Sequence, residues 1–203
     1  MSVLIDSSVT IYEVIQNIKD GKYVMPAFQR QYVWSMEQIE KLWDSILLDY
    51  PIATFLFWHV DDDNVTWDTY FCNFLSSVTF DSRKQADSVN YELSSIDVKL
   101  TDTAVLDGQQ RLTTLYQVFK SKKATNTRLE TNRDATIKRF YYLDINKCLD
   151  PDADRLDAII SVSDKKQRTT DIGRTVTLDL STREKEFENL MFPLNITFSP
   201  NDT

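Results

Sequence analysis

Between Ala104 and Phe119 the chain changes its hydrophobic period within two residues. The apolar run Ala104-Val105-Leu106 stops at Asp107-Gly108, and Leu112, Leu115, Tyr116 and Phe119 then recur at i, i+3, i+4 and i+7. A short buried strand must hand over directly to a helix. Gly108 sits where the backbone has to turn sharply or approach a ligand closely, and it has no Cβ to obstruct either. The start of a helix exposes backbone N–H groups and a partial positive charge, so the junction Asp107-Gly108-Gln109-Gln110-Arg111 is a candidate anion site, with Arg111 in the first turn. The alternative is a tight turn capped by Asp107.

Glycine is scarce elsewhere: the chain has three, Gly21, Gly108 and Gly173. That excludes a Walker A loop and a GxGxxG dinucleotide fingerprint, each of which needs glycines in fixed order. The chain has 203 residues, 42% of them hydrophobic, enough for one sizeable core. The net charge of −8 argues against a strongly DNA-binding surface across the chain as a whole. Basic residues do outnumber acidic ones between Lys120 and Arg139, a stretch read as a solvated loop. Cys72 and Cys148 fit no metal or redox spacing and are expected to be reduced thiols in a cytoplasmic protein. No signal peptide is read at the N-terminus, and the longest apolar stretch, 52–60, is too short to span a bilayer.

Periodicity predicts a helix over 10–20, a short strand at 23–25 and an extended segment after Pro26. Ser35-Met36-Glu37-Gln38 has the form of a capping box opening a helix that ends near Asp49. The nearly continuous apolar run 54–60 predicts a strand covered on both faces. Residues 122–134 read as a polar loop, 139–145 and 175–180 as strands, and Thr182 as the cap of a helix containing Phe187 and Leu190. The last residues look like the start of a continuation, so a fragment of a longer protein is expected, with a main unit over 1–180 and a helical continuation over 181–203.

Two polar clusters interrupt apolar surroundings: Gln29-Arg30-Gln31-Tyr32 with Trp34, and Asp107–Arg111. Each contains Gln and Arg beside a helix N-terminus, at Ser35 and at Gln109. Side by side they would form a pocket of two guanidinium groups, amides and oriented N–H donors, a good match to a polyphosphate, with Tyr32 or Trp34 stacking on a base. Taken alone, the first cluster reads as an extended loop in which Arg30 makes a structural salt bridge. The single histidine, His59, lies in the apolar strand and reads as a core or edge residue; one histidine also excludes a two-histidine metal site. Asp61-Asp62-Asp63 reads as a solvated turn.

These clusters carry a resemblance. Phe28-Gln29-Arg30-Gln31-Tyr32-Val33-Trp34, the helix from Ile39 to Leu47, Pro51-Ile52 and Leu106-Asp107-Gly108-Gln109-Gln110-Arg111-Leu112-Thr113 resemble, in order and spacing, the N-terminal domain of GmrSD-type, DGQQR-motif restriction and defence proteins. Residues 184–198, with Met191-Phe192-Pro193-Leu194, resemble the family's continuation. The resemblance implies an α+β fold like ParB and sulfiredoxin, a small mixed sheet with flanking helices. It implies an anti-phage restriction protein acting on modified DNA, in which this domain binds or hydrolyses a nucleoside triphosphate, with Mg²⁺ as the expected companion ion. A separate C-terminal nuclease domain, with a histidine-based metal centre, would cut DNA; no nuclease centre is read in this chain.

On that reading Gln29, Arg30, Gly108, Gln109, Arg111 and Thr113 bind nucleotide phosphate. Asp107, Gln110 and Arg111 are the catalytic candidates. Asp107 holds a metal or orients the attacking water, and Gln109 or Gln110 positions water or phosphate; residue types alone do not choose among these roles. A second reading, of a different class, is a non-catalytic sensor that grips modified DNA through the same junction, with Tyr32 and Trp34 on sugar or base.

Overall fold

The computed structural model describes residues 9–26, 32–59, 71–72, 103–120, 122–129, 131 and 135–198. Helix α1 spans Ile11–Lys19, and Thr10 with Glu13 closes a capping box at its start. Helix α2 spans Met36–Leu47 with the predicted box, the Ser35 side chain accepting from the Gln38 N–H and the Gln38 side chain accepting from the Ser35 N–H. Both helices have one apolar face, and those faces meet a third helix, α3, at Gln109–Phe119. Ile15, Ile18, Leu112 and Val105 are completely buried, and Trp43 meets Phe119 at 4.3 Å between ring centroids. Each such side chain contributes about 1.5–3 kcal/mol of burial free energy.

Beneath these helices lies a four-stranded sheet in the order β2-β4-β1-β3, with β1 at Tyr23–Pro26, β2 at Leu56–His59, β3 at Phe71–Cys72 and β4 at Thr103–Asp107. Strands β1 and β4 are parallel; β2 pairs antiparallel with β4, and β3 antiparallel with β1. Because β2 runs against β4, its N-terminal end lies beside the Asp107 end of β4, with Leu56 opposite Asp107. The expectation that β2 is covered on both faces is corrected. Among the described residues it lies at the edge of this sheet, and Leu56, Trp58 and His59 are exposed while Phe57 is partly buried.

A second sheet is built on the long strand β6, Thr136–Asp144. Strand β5, Thr125–Arg128, pairs with its first half, β10, Met191–Pro193, with its last three residues, and β7, Ile159–Ser163, with the middle. Part of the predicted polar loop 122–134 is therefore a strand: Thr125, Asn126 and Thr127 are buried against β6 despite their polarity. Tertiary pairing overrides composition there. Short helices α4 at Ile145–Leu149 and α5 at Arg155–Ala158 connect β6 to β7. Strands β8, Gln167–Thr170, and β9, Thr175–Asp179, form a separate hairpin. Helix α6, Arg183–Glu188, is capped by Thr182 as expected, but Phe187 is exposed and the buried residue is Glu186. The Glu186 carboxylate accepts from the Tyr142 hydroxyl and from Lys166 Nζ, each at 2.9 Å. Strand β10 and helix α6 thus pack on the second sheet, and Leu194 is part of the main core.

The fold is mixed α+β, with small sheets and several helices. No helix among the described residues is long and apolar enough to cross a membrane. Cys148 is a free, exposed thiol.

Candidate anion site at the β4–α3 junction

Strand β4 ends at Asp107, Gly108 forms the turn, and α3 begins at Gln109. The handover falls where the change of period put it. Gly108 has φ +92°, a left-handed conformation that disfavours any residue with a Cβ. A Cβ at this position would also lie 2.3 Å from Phe55 Cδ1, so glycine is required twice over. No side chain caps α3, in contrast to the capped starts of α1 and α2. Asp107 does not take the capping role; its side chain is 70% exposed at the strand end.

A cavity of about 330 Å³ opens at this turn, lined by Trp34, Leu106 and the whole stretch Asp107–Arg111. Arg111 is tied on one side. Its Nη2 donates to the Thr54 carbonyl at 2.6 Å and lies 3.7 Å from Asp107 Oδ2, and the guanidinium sits 5.1 Å above the centre of the Phe55 ring. Its Nε–H is buried and has no acceptor. A buried donor without an acceptor costs free energy in the free protein.

The segment 32–35 forms the opposite wall. Val33 N–H donates to Gln110 Oε1 at 2.9 Å, and the Tyr32 hydroxyl meets Thr114 Oγ1 at 2.8 Å. Gln110 and Thr114 are one helical turn apart, so α3 grips two successive residues of the segment. Thr114 Oγ1 in turn donates to the Gln110 carbonyl at 2.8 Å, which leaves the Tyr32 hydroxyl to donate to Thr114. On the far side Arg128 N–H donates to the Trp34 carbonyl at 3.0 Å, tying the segment to β5. Trp34 is thereby held at the cavity, partly buried.

The expected residues divide accordingly. Asp107, Gly108, Gln109, Gln110, Arg111 and Trp34 share one cavity. Tyr32 does not reach it as a stacking surface: the ring is buried in the core, its hydroxyl is committed, and burial pushes its ionisation well above the usual phenol range. The expectation that Tyr32 contacts a base is corrected on that ground. Gln110 is 7% exposed and its amide oxygen is already engaged, so it acts as a clamp on Val33. Thr113 is buried, is not among the cavity residues, and its hydroxyl has no partner. Gln29 and Arg30 lie outside the described residues. The pairing of two open helix N-termini does not occur, because the N-terminus at Ser35 is closed by its own capping box. Thr54 and Phe55 were missed from sequence. Their only signal is proximity in register to Asp107, which requires knowing that β2 runs antiparallel to β4.

Among the described residues no group of three or more His, Cys, Asp or Glu side chains is placed to hold a metal ion. Among the described residues, Asp107 is the carboxylate that lines the cavity. Mg²⁺ is commonly held by one or two carboxylates together with phosphate oxygens, so this donor set fits Mg²⁺ only in company with a phosphate ligand.

Comparison with known proteins extends this beyond the junction. An uncharacterized protein of Methanocaldococcus jannaschii is 27% identical over 192 residues, which cover 94% of this chain and 29% of that relative. This chain thus spans less than a third of that relative's length. Residues 11–199, from the first residue of α1 to just past the last described residue, match the GmrSD restriction endonuclease, N-terminal domain; the chain belongs to that family.

Proposed function

We propose that this domain binds and hydrolyses a nucleoside triphosphate at the β4–α3 junction, as part of a cytoplasmic anti-phage restriction protein acting on modified DNA. The observation that carries the reading is Arg111, which lines the cavity beside an uncapped helix start and has a buried Nε–H without an acceptor. Family membership supports a role in restriction. The mixed sheet with flanking helices is compatible with a ParB/sulfiredoxin-like arrangement, in which a strand–turn–helix junction takes phosphates.

On this reading the backbone N–H groups of Gly108 and Gln109 hold phosphate oxygens, and Arg111 neutralises charge on the phosphoryl group. Gln109 orients the attacking water, since the Gln110 amide oxygen is engaged by Val33. Asp107 holds Mg²⁺, which when bound offsets phosphate charge. Trp34 stacks on the base, and Arg30 adds a second cation. The longer protein supplies DNA contacts and a C-terminal nuclease domain.

The test is phosphate release from each of the four ribonucleoside triphosphates, with and without Mg²⁺ and with and without DNA, using the longer natural protein alongside this domain. Turnover that is lost in Arg111→Ala supports the reading. Tight binding to modified DNA without any turnover would replace it with the sensor reading.

A further inference from the structure

Arg111 does not hold its position unaided, and the residues that hold it belong to a different part of the chain. Two contacts come from the segment before β2: the Thr54 carbonyl accepts from Nη2 at 2.6 Å, and the Phe55 ring lies flat enough beneath the guanidinium to put its centroid 5.1 Å from Cζ. That ring is itself fixed. It stacks on Phe57 at 6.2 Å with 19° between planes, and Phe57 meets Tyr23 of β1 at 5.0 Å. Phe55 also abuts the turn, where it leaves no room for a Cβ on Gly108. The residue before this pair, Ala53, has φ +70°, a left-handed conformation that is strained for a non-glycine residue. Ala53 is exposed, so no packing of its own side chain explains the strain. The next carbonyl along the chain, that of Thr54, is the one that accepts from Arg111.

We infer that Ala53, Thr54 and Phe55 form a positioning element for the anion site, fixing the Arg111 guanidinium before any ligand arrives. This deepens the proposed function and rests on it. With Nη2 anchored at the Thr54 carbonyl and the Phe55 ring against the guanidinium, the side chain is held in one orientation. The ring and the carbonyl that hold the guanidinium carry no countercharge, and the Asp107 carboxylate stands farther off at 3.7 Å, so attraction for an anion is retained. Pre-organisation of this kind raises affinity by removing the ordering cost of a long side chain at the moment of binding.

The experiment compares wild type, Phe55→Leu, Phe55→Tyr and Ala53→Gly by three measurements: the NMR order parameter of the Arg111 Nε–H in the free protein, calorimetric titration with inorganic tripolyphosphate, and a thermal melt. Phe55→Leu is expected to lower the order parameter and weaken tripolyphosphate binding by about threefold to tenfold. Phe55→Tyr, which keeps the ring, should restore both. Ala53→Gly adopts the same positive φ without strain, so its melting temperature should rise while affinity holds. A melting temperature that falls in Ala53→Gly overturns the part assigned to Ala53. An unchanged Arg111 order parameter or unchanged affinity in Phe55→Leu overturns the positioning role and leaves the nucleotide reading standing. Failure of wild type to bind tripolyphosphate, with Arg111 rigid and Phe55-dependent, overturns the nucleotide reading instead.

Discussion

Helices α2 and α3 begin in opposite ways. At α2 the Ser35 and Gln38 side chains exchange hydrogen bonds with each other's backbone, and the N-terminus is closed. At α3 the preceding residue is a left-handed glycine with no side chain to offer, and a cavity opens over the first turn. Glycine in place of a capping side chain costs only about a few tenths of a kcal/mol, so an open helix start is tolerated at Gly108. The difference separates the two polar clusters. The helix start beside Trp34 is architecture, while the one at Gly108 keeps its dipole facing the cavity, next to a cation. The segment 32–35 then serves as a wall, pinned through Gln110 and Thr114 of α3 itself.

The contrast is open to direct attack. The largest effect is expected from Gly108→Ala, which combines a disfavoured positive φ with a Cβ 2.3 Å from Phe55. It should cost about 2–4 kcal/mol, read as a fall in the denaturant midpoint. Gly21→Ala is the control: its φ is +75° but nothing lies within 4 Å of the added Cβ, so only the conformational cost of about 1–2 kcal/mol applies. Equal losses at the two glycines would show that the Phe55 contact is unimportant.

Next in size is Arg111→Ala. It should weaken triphosphate binding by about 1.5–3 kcal/mol, on the order of tenfold to a hundredfold, with little change in the melt. The reverse outcome, a collapsed melt with unchanged affinity, would make Arg111 a structural residue like the Ser35 cap. Ser35→Ala is expected to lower stability by about 1 kcal/mol and leave triphosphate affinity alone. A loss of affinity there would mean that the closed N-terminus takes part in binding after all.

The smallest effect concerns the clamp. Tyr32→Phe removes the hydroxyl that meets Thr114, and about 0.5–1 kcal/mol should be lost, since Thr114 keeps its bond to the Gln110 carbonyl. Burial also raises the ionisation of Tyr32, Tyr141 and Tyr142 above the ordinary phenol value near 10. The folded state therefore holds these protons more tightly than the unfolded chain. That stability is complete below about pH 10 and is lost as pH rises through the folded values. Melting temperature is expected to hold to about pH 9.5 and then fall, more shallowly in Tyr32→Phe.

Much of this was legible in the residues themselves. The two capping boxes, the strand-to-helix handover at Gly108, the apolar faces of α1, α2 and α3, and the exclusion of glycine-rich phosphate loops all follow from local chemistry, because caps, turns and periodicity act over three or four residues. Family membership was legible for the same reason, since the motifs that carry it are short and contiguous. What local chemistry could not decide was partnership across the chain. Tyr32 beside Trp34 reads as a second stacking ring, yet long-range packing turns one inward to Thr114 and leaves the other at the cavity. Thr125–Thr127 reads as loop, yet β6 buries it, because a strand's environment is set by its neighbours rather than its composition. Gln110 reads as a reactive amide and is a clamp. The hold on Arg111 joins residues more than fifty positions apart, and only the antiparallel pairing of β2 with β4 brings Thr54 and Phe55 to the junction. Sequence determined which groups this protein has available for an anion; the tertiary structure decided which of them are left facing the cavity, because each buried polar group must first satisfy its own hydrogen bonds.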